Sequence, residues 1–438
     1  MPTSPSQFLP APEEAAAAAR RALSPLAAST EDSQIRHVAS EVWALQAQGA
    51  EICNLTIGDF VPSQFPVPPA FMQRLAEELA AGRTNYTPSD GILELKKAIA
   101  GQYRAELGID YGPGSVVIGA GARPLMWASY LAFLSPGDGF AYGVPSWNTN
   151  YYHHLFSCQG LVMRGRAASR FLPTVEQVEE VLPRARMLVL NSPLNPTGTA
   201  YRADELEPVC RAMLDENRRR ERDGRPPVMM LYDQVYWTLT GAGQAHVHPL
   251  ALVPELAPYV VYLDAISKSL AATGLRVGWV VVPPHLQGTF KTLIGHMGGF
   301  APRPEQHATA WYLAQPELVH ADRERMRQGI RARLGQLVEA LTGMAAEGLP
   351  VEIIRPEGGI YLSVRFNLFG RRLPSGQVLE TNEDIRRFLL HEAGLALVAF
   401  QAFGLEEDSG WFRISVGAAD PAAVMRGLER VRATLKAM

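Results

Sequence analysis

Residues 262–283 read YLDAISKSLAATGLRVGWVVVP. An apolar run ends at Ala265, a few small residues carry Lys268, and Arg276 stands between Gly274 and Gly278 before a second apolar run. A long cationic side chain at the end of a strand-like segment is costly unless something there uses its charge. In an open parallel sheet, ligands bind beyond the carboxyl ends of the strands, so such a placement marks a site as well as a fold. The rest of the chain was therefore read for further strand ends.

SVVIG (115–119), RMLVLNSP (186–193), PVMMLYDQ (227–234), YVVYLDAIS (259–267) and VGWVVVP (277–283) are short apolar runs of the kind that helices cover on both faces. Between them lie amphipathic stretches such as RPLMWASYLAFL (123–134) and RADELEPVCRAMLDENRRRER (202–222). The alternation predicts an α/β fold with a mainly parallel sheet between helices. Beyond about residue 305 a long helical pattern, LVHADRERMRQGIRARLGQLVEALTGMAAEG (318–348), gives way to strand–helix–strand signals through GGIYLSVRFN (358–367), EDIRRFLLHEAG (383–394) and GWFRISVG (410–417). The expected division is an N-terminal arm and helix over 1–50, a large ligand-binding domain over 51–310, and a smaller α+β domain over 311–438 joined by part of the N-terminal segment.

Composition narrows the partners. Across 438 residues, 19% are charged and the formal net charge is −3, which argues against a nucleic-acid or membrane surface. No apolar run reaches bilayer length, and the Pro-, Ser- and Ala-rich start lacks the pattern of a secretory signal. Cys53, Cys158 and Cys210 form no C-x-x-C pair, so buried reduced thiols in a cytoplasmic protein are expected. The histidines at 153–154 and 246–248 have no carboxylate or thiol at ligand spacing, so no metal is expected.

The polar residues after the strand ends are Gly121, Ala122 and Arg123, then Asn191 and Asn195, then Asp233 and Tyr236, then Ser267 and Lys268. A desolvated lysine near a second cation is a carbonyl-trapping amine. Arg276, two turns on if the chain is helical after Lys268, and the backbone amides of GAGAR (119–123) would hold an anion. A ligand with both an aldehyde and a phosphate meets these donors together, and pyridoxal 5′-phosphate has that shape. Asp233 suits its pyridine nitrogen, Asn195 and Tyr236 its phenolic oxygen, and Trp147 its ring.

These motifs resemble, in order from about residue 52 to the C-terminus, those of the class I/II aminotransferases among the fold type I pyridoxal-phosphate enzymes. NLTIGDF (54–60) resembles the substrate loop whose glycine, here Gly58, approaches the substrate carboxylate. NYTPSDGILELKKAIA (85–100) resembles the segment whose tyrosine, here Tyr86, reaches the phosphate of a neighbouring subunit. GAGAR resembles the phosphate turn, with Ala122 and Arg123 giving backbone amides, and PSW (145–147) the ring-stacking motif. NSPLNPTGT (191–199) resembles the signature that sets Asn195 on the phenolate, DQVY (233–236) the D-x-x-Y motif, and SKSLAATGLRVGW (267–279) the motif of the Schiff-base lysine. WFRISVG (411–417) resembles the motif whose arginine, here Arg413, clamps the α-carboxylate.

The resemblance implies a pyridoxal-phosphate-dependent homodimer that moves an amino group between an amino acid and a 2-oxo acid by a ping-pong mechanism. Two features depart from the common pattern. Ala265 stands where many relatives carry a phosphate-binding hydroxyl, leaving Ser267 for that task. Arg123 is bulkier and more basic than usual, and either adds to the phosphate grip or points outward. A lyase using the same lysine is the chief rival, and a non-catalytic cofactor-binding module a more distant one. A dinucleotide site at 115–124 fails because Pro124 occupies the third glycine position. Phe60, Phe65 and Phe300 favour an apolar or aromatic substrate, whereas Arg303 would suit an acidic one.

Overall fold

The computed structural model describes residues 6, 9–30, 32, 34–241 and 243–438. Residues 1–5, 7 and 8 of the expected N-terminal arm lie outside the described residues; Pro12–Ala22, Pro25–Ala28 and Gln34–Ala47 are helical. The strands, in chain order, are β1 (Cys53–Asn54), β2 (Val116–Gly119), β3 (Gly139–Val144), β4 (Gln159–Arg164), β5 (Ala185–Asn191), β6 (Met229–Asp233), β7 (Val260–Ala265), β8 (Gly278–Val281), β9 (Val351–Ile354), β10 (Tyr361–Phe366), β11 (Leu395–Ala396), β12 (Val398–Ala399) and β13 (Trp411–Ser415).

Seven of them form one sheet in the order β2-β8-β7-β6-β5-β3-β4. All neighbours are parallel except those of β8, which runs against both β2 and β7. Parallel neighbours need a crossover helix, and the short 266–277 connection contains only one helical turn, so the chain reverses there instead. Every residue of β7 is buried, and the faces divide by period two. Val260 and Tyr262 enter one core and Val261 and Leu263 the other, so helices cover both sides as the unbroken apolar runs require. Strands β3 and β4 were not among the sequence candidates: glycines at 139, 143 and 160 and the exposed Gln159 and Arg164 dilute their patterns.

A second, antiparallel sheet has the order β12-β13-β10-β9, and β1 pairs in parallel with β11 beside it. Leu55, Phe60 and Phe65 share a core with Leu362 and Phe412, so the N-terminal chain packs with the C-terminal sheet. The helix Pro316–Ala346 contributes Val319 to the first core and Ile330, Leu334, Leu337 and Leu341, one face at helical spacing, to the second. Cys53 and Cys210 are buried, while Cys158 is partly exposed, against expectation. Among the described residues no helix is long and apolar enough to cross a membrane.

Candidate active site

Ile266–Ser269 is a single helical turn continuing from β7, and it carries Lys268 into a cavity of about 370 Å³. The Lys268 amine donates to Gly58 O at 2.8 Å and lies 3.6 Å from Asp59 Oδ1. Burial lowers its pKa from the usual lysine value; Asp59 opposes that shift, and Arg413 and Arg276 reinforce it. Arg276 does not arrive two turns along a helix. The helix stops at Ser269, and a 3-10 turn over Thr273–Leu275 delivers Arg276 in the left-handed region at φ 53°. From there its guanidinium donates to Thr273 O at 2.7 Å and Ala120 O at 3.0 Å, against the turn that begins the Ala122–Phe133 helix. Gly121 has φ 81°, a backbone that favours glycine, and a Cβ there would push that guanidinium aside.

Asp233 ends β6 and faces the same cavity. Its carboxylate accepts from Val235 N at 3.1 Å, and burial raises its pKa to about 7. A buried carboxyl with one backbone donor and no cation lacks a positive partner. Asn195 follows β5, its backbone held by Asn191 Oδ1 at 2.9 Å, and its Oδ1 accepts from Arg413 Nη1 at 3.3 Å. Arg413 lies on β13, only 2% exposed, between the rings of Tyr361 and Phe403 at 4.9 and 4.8 Å; Nη2 donates to Thr56 O at 2.5 Å. Its Nε has no partner among the described residues, a buried donor left unsatisfied. The Tyr236 hydroxyl pairs with that of Tyr361 at 2.7 Å, and a Cβ on Gly58 would meet Tyr361 Oη at 2.9 Å and Arg413 Nη1 at 3.3 Å.

Ala122, Arg123, Trp147, Ser267 and Arg276 complete the wall. Arg123 is exposed yet borders the cavity, with its guanidinium over the Trp147 ring at 4.8 Å. Tyr86 is the one sequence-predicted site residue kept well away, 88% exposed and edge-on to Phe300 at 6.1 Å. Arg303 donates to Asn85 and does not line the cavity. Phe60 and Phe65 pack edge-to-face in the second core, so they give no support to an aromatic substrate.

Four residues escaped the sequence reading. Asp59 directly follows Gly58 and binds Thr273 Oγ1 at 2.9 Å, tying the substrate loop to the lysine segment. Tyr361, at the start of β10, is the partner of Tyr236. Asp264, whose pKa burial raises to about 7, accepts from Trp237 Nε1 at 2.6 Å behind the sheet. Glu357 carries no motif at all. Its Oε2 accepts from Arg170 Nε at 3.1 Å and Ala200 N at 3.0 Å, its Oε1 from Arg202 Nη2 at 2.8 Å, and its own N–H donates to Gly198 O at 2.7 Å. It thereby clamps the loop that bears Asn195. Glu357→Ala leaves the Ala200 amide without its acceptor and removes one contact each from Arg170, which keeps Glu205, and from the exposed Arg202, so the unfolding free energy in urea should fall by about 1–2 kcal/mol. An unchanged denaturation midpoint would remove the clamp from this account.

The family model described as aminotransferase class I and II matches residues 50–431. The aspartate aminotransferase of Rhizobium meliloti (strain 1021) is 29% identical over 405 residues, spanning 92% of this chain and 93% of that one. A probable aspartate/prephenate aminotransferase of Rhizobium leguminosarum bv. phaseoli is 28% identical over 382 residues, spanning 86% and 90%. The crystal structure of the aspartate aminotransferase from Rhizobium meliloti matches with a TM-score of 0.84 at 27% identity, covering 94% of this chain and 98% of that one. That from Thermotoga maritima matches with a TM-score of 0.80 at 25% identity, covering 94% and 100%. An amine, a carboxyl awaiting a cation, a guanidinium at a helix start and an indole around one cavity are a donor set that fits pyridoxal 5′-phosphate. The chain belongs to the class I and II aminotransferases, and it is a pyridoxal-phosphate-dependent aminotransferase acting on amino acids and 2-oxo acids.

Proposed function

We propose that Lys268 is the catalytic amine, that the other cavity residues divide between cofactor and substrate, and that the amino donor is a dicarboxylic amino acid such as aspartate. The observation that carries this reading is the largely buried Lys268 amine in one cavity with Asp233 and Asn195, the last bonded to Arg413. Bound there, pyridoxal 5′-phosphate supplies an electron sink for the substrate α-carbon. Lys268 would hold its aldehyde, Asp233 its ring nitrogen, Asn195 and Tyr236 its phenolic oxygen and Trp147 its ring. The backbone amides of Ala122 and Arg123, the Ser267 hydroxyl and Arg276 would hold its phosphate.

Arg413 orients the amino acid by its α-carboxylate, with Gly58 and Asn195 beside it. The Lys268 amine takes the α-proton; desolvation favours the neutral base that this requires. Gly58 O keeps that amine aimed across the cavity while Tyr361 fixes the Tyr236 hydroxyl. The donor leaves as a 2-oxo acid before the acceptor binds, which gives ping-pong kinetics.

Tyr86 acts in this reading from a neighbouring subunit, which is why a homodimer is part of it; its exposure beside Phe300 suits such a contact. Cytoplasmic placement and the division at 51–310 and 311–438 belong to the same reading. The β1–β11 pairing and the second core support the joining of the N-terminal segment to the smaller domain, and they carry residues 53–65 with it.

The relatives named above are aspartate and aspartate/prephenate aminotransferases, and the exposed cation set against Trp147 at the cavity's edge, Arg123, suits a second carboxylate. L-Aspartate should therefore convert the absorbance of the bound cofactor, and a 2-oxo dicarboxylic acid should restore it. Arg123→Met should lower kcat/KM for aspartate roughly 10- to 100-fold, the worth of a hydrogen bond to a charged group, and that for alanine far less. Equal losses for both substrates would assign Arg123 to the cofactor alone.

A further inference from the structure

A second hollow, of about 310 Å³, opens between the Pro316–Ala346 helix and the 355–359 segment, and no residue lines both it and the active-site cavity. Its floor is apolar, with Leu239, Ile330 and Leu334; Arg327, Arg331 and Arg355 reach it from the helix and the segment. Arg323, Arg327 and Arg331 follow one another at four-residue spacing, so their charges gather on one helix face. Two of the three are compensated: Arg323 pairs with Glu106 at 2.6 Å and lies over Trp237, and Arg331 pairs with Glu324.

Arg327 is not. Its Nε donates to Thr238 O at 2.7 Å, while its two terminal nitrogens have no hydrogen-bond or ion-pair partner among the described residues. The Arg355 guanidinium has none there either. Burial, and then the charge of Arg323, push the Arg327 pKa below the usual arginine value. Glu324 and Glu106 act on Arg327 against Arg323 and Arg331, so what remains is burial: a half-buried guanidinium with two free nitrogens, and a second unpartnered one in the same apolar hollow, suit an anion that brings its own apolar surface.

We propose that this hollow binds a small amphipathic anion, its single carboxylate, sulfonate or phosphate group on Arg327 and Arg355 and its apolar ring or chain on Leu239, Ile330 and Leu334. The volume suits a ligand of one ring, and polar groups that fix orientation over an apolar lining are the usual make-up of such sites. The hollow backs onto Gly359, where a Cβ would come within 3.4 Å of the Tyr236 ring, so an occupant would sit directly behind the tyrosine pair of the active site.

Titration calorimetry on the cofactor-loaded enzyme, with benzenesulfonate as the probe and inorganic sulfate as its counterpart without an apolar body, tests this. One benzenesulfonate is expected per chain, bound at least tenfold more tightly than sulfate and not displaced by saturating L-aspartate. Arg327→Met and Arg355→Gln should each weaken it about tenfold, the loss of a charge-assisted contact. Arg355 is exposed and unpartnered, so its variant keeps the fold, and aminotransferase activity on the same sample reports the active site separately. Absence of binding, displacement by aspartate, or wild-type affinity in both variants would overturn the proposal.

Discussion

Lys268→Ala should lower aminotransferase turnover by on the order of 10⁴-fold, the upper reach of a positioned general base. The loss has two physical sources. The amine that would take the α-proton is gone, and nothing else in the cavity replaces it: Asp59 is tied to Thr273, and the Tyr236 hydroxyl, whose pKa burial raises well above the usual value, is a poor base precursor. The covalent hold on the cofactor is gone as well. Borohydride treatment followed by peptide mass analysis separates these from a folding defect: the wild-type peptide containing residue 268 should retain the reduced cofactor, and the variant peptide should not. A variant that turned over within tenfold of wild type would end the assignment of Lys268.

Asp233→Asn should cost on the order of 10³-fold in kcat, as expected when a preorganised charge at a reacting site is lost. The amide fills the same space and still accepts from Val235, but it cannot pair with a cationic ring nitrogen. The pH dependence of the apoprotein offers a second readout. Burial raises the Asp233 carboxyl from 3.8 to about 7, so between those values the folded protein binds more protons than the unfolded one. Its contribution is complete below pH about 4 and is lost as pH rises through about 7, so apoprotein stability should fall across that window. The Asn variant should fall less steeply, with Asp264 keeping its own share because burial raises it in the same way. Identical slopes would mean that Asp233 is already ionised, and paired, before the cofactor arrives.

Much of the site was legible because its residues stand at strand ends, where sequence pattern and chemistry coincide. Lys268, Asp233 and Asn195 each close or follow an unbroken apolar run, and the sheet brings those ends together without further information. What was not legible is what depends on the path between elements. The route of Arg276 was misread because one helical turn and a reversal look, in sequence, like the start of a helix. Phe60 and Phe65 follow the substrate loop in the chain, yet they turn away from it into the second core, since two aromatic rings gain more from burial there than beside a polar cavity. Glu357 and Asp59 act on segments hundreds of residues distant along the chain, and no local spacing announces such partners. Strands β3 and β4 were lost to glycines: Gly139 and Gly143 lie against Arg184 and Pro173, where close approach, not β propensity, chose the residue.

The Pro316–Ala346 helix has one end seated in the first core and most of its length in the second. A beam fixed at both ends does not swing as a loop does. Any shift of the C-terminal sheet relative to the first core must flex this helix between Val319 and Ile330, or shear one seat against its neighbours, and it would stretch the 3.3 Å contact by which Arg413 already bridges to Asn195. The travel of the carboxylate clamp is then limited by the bending stiffness of a single helix, and the arginine spine at 323, 327 and 331 crosses the span where that bend would fall.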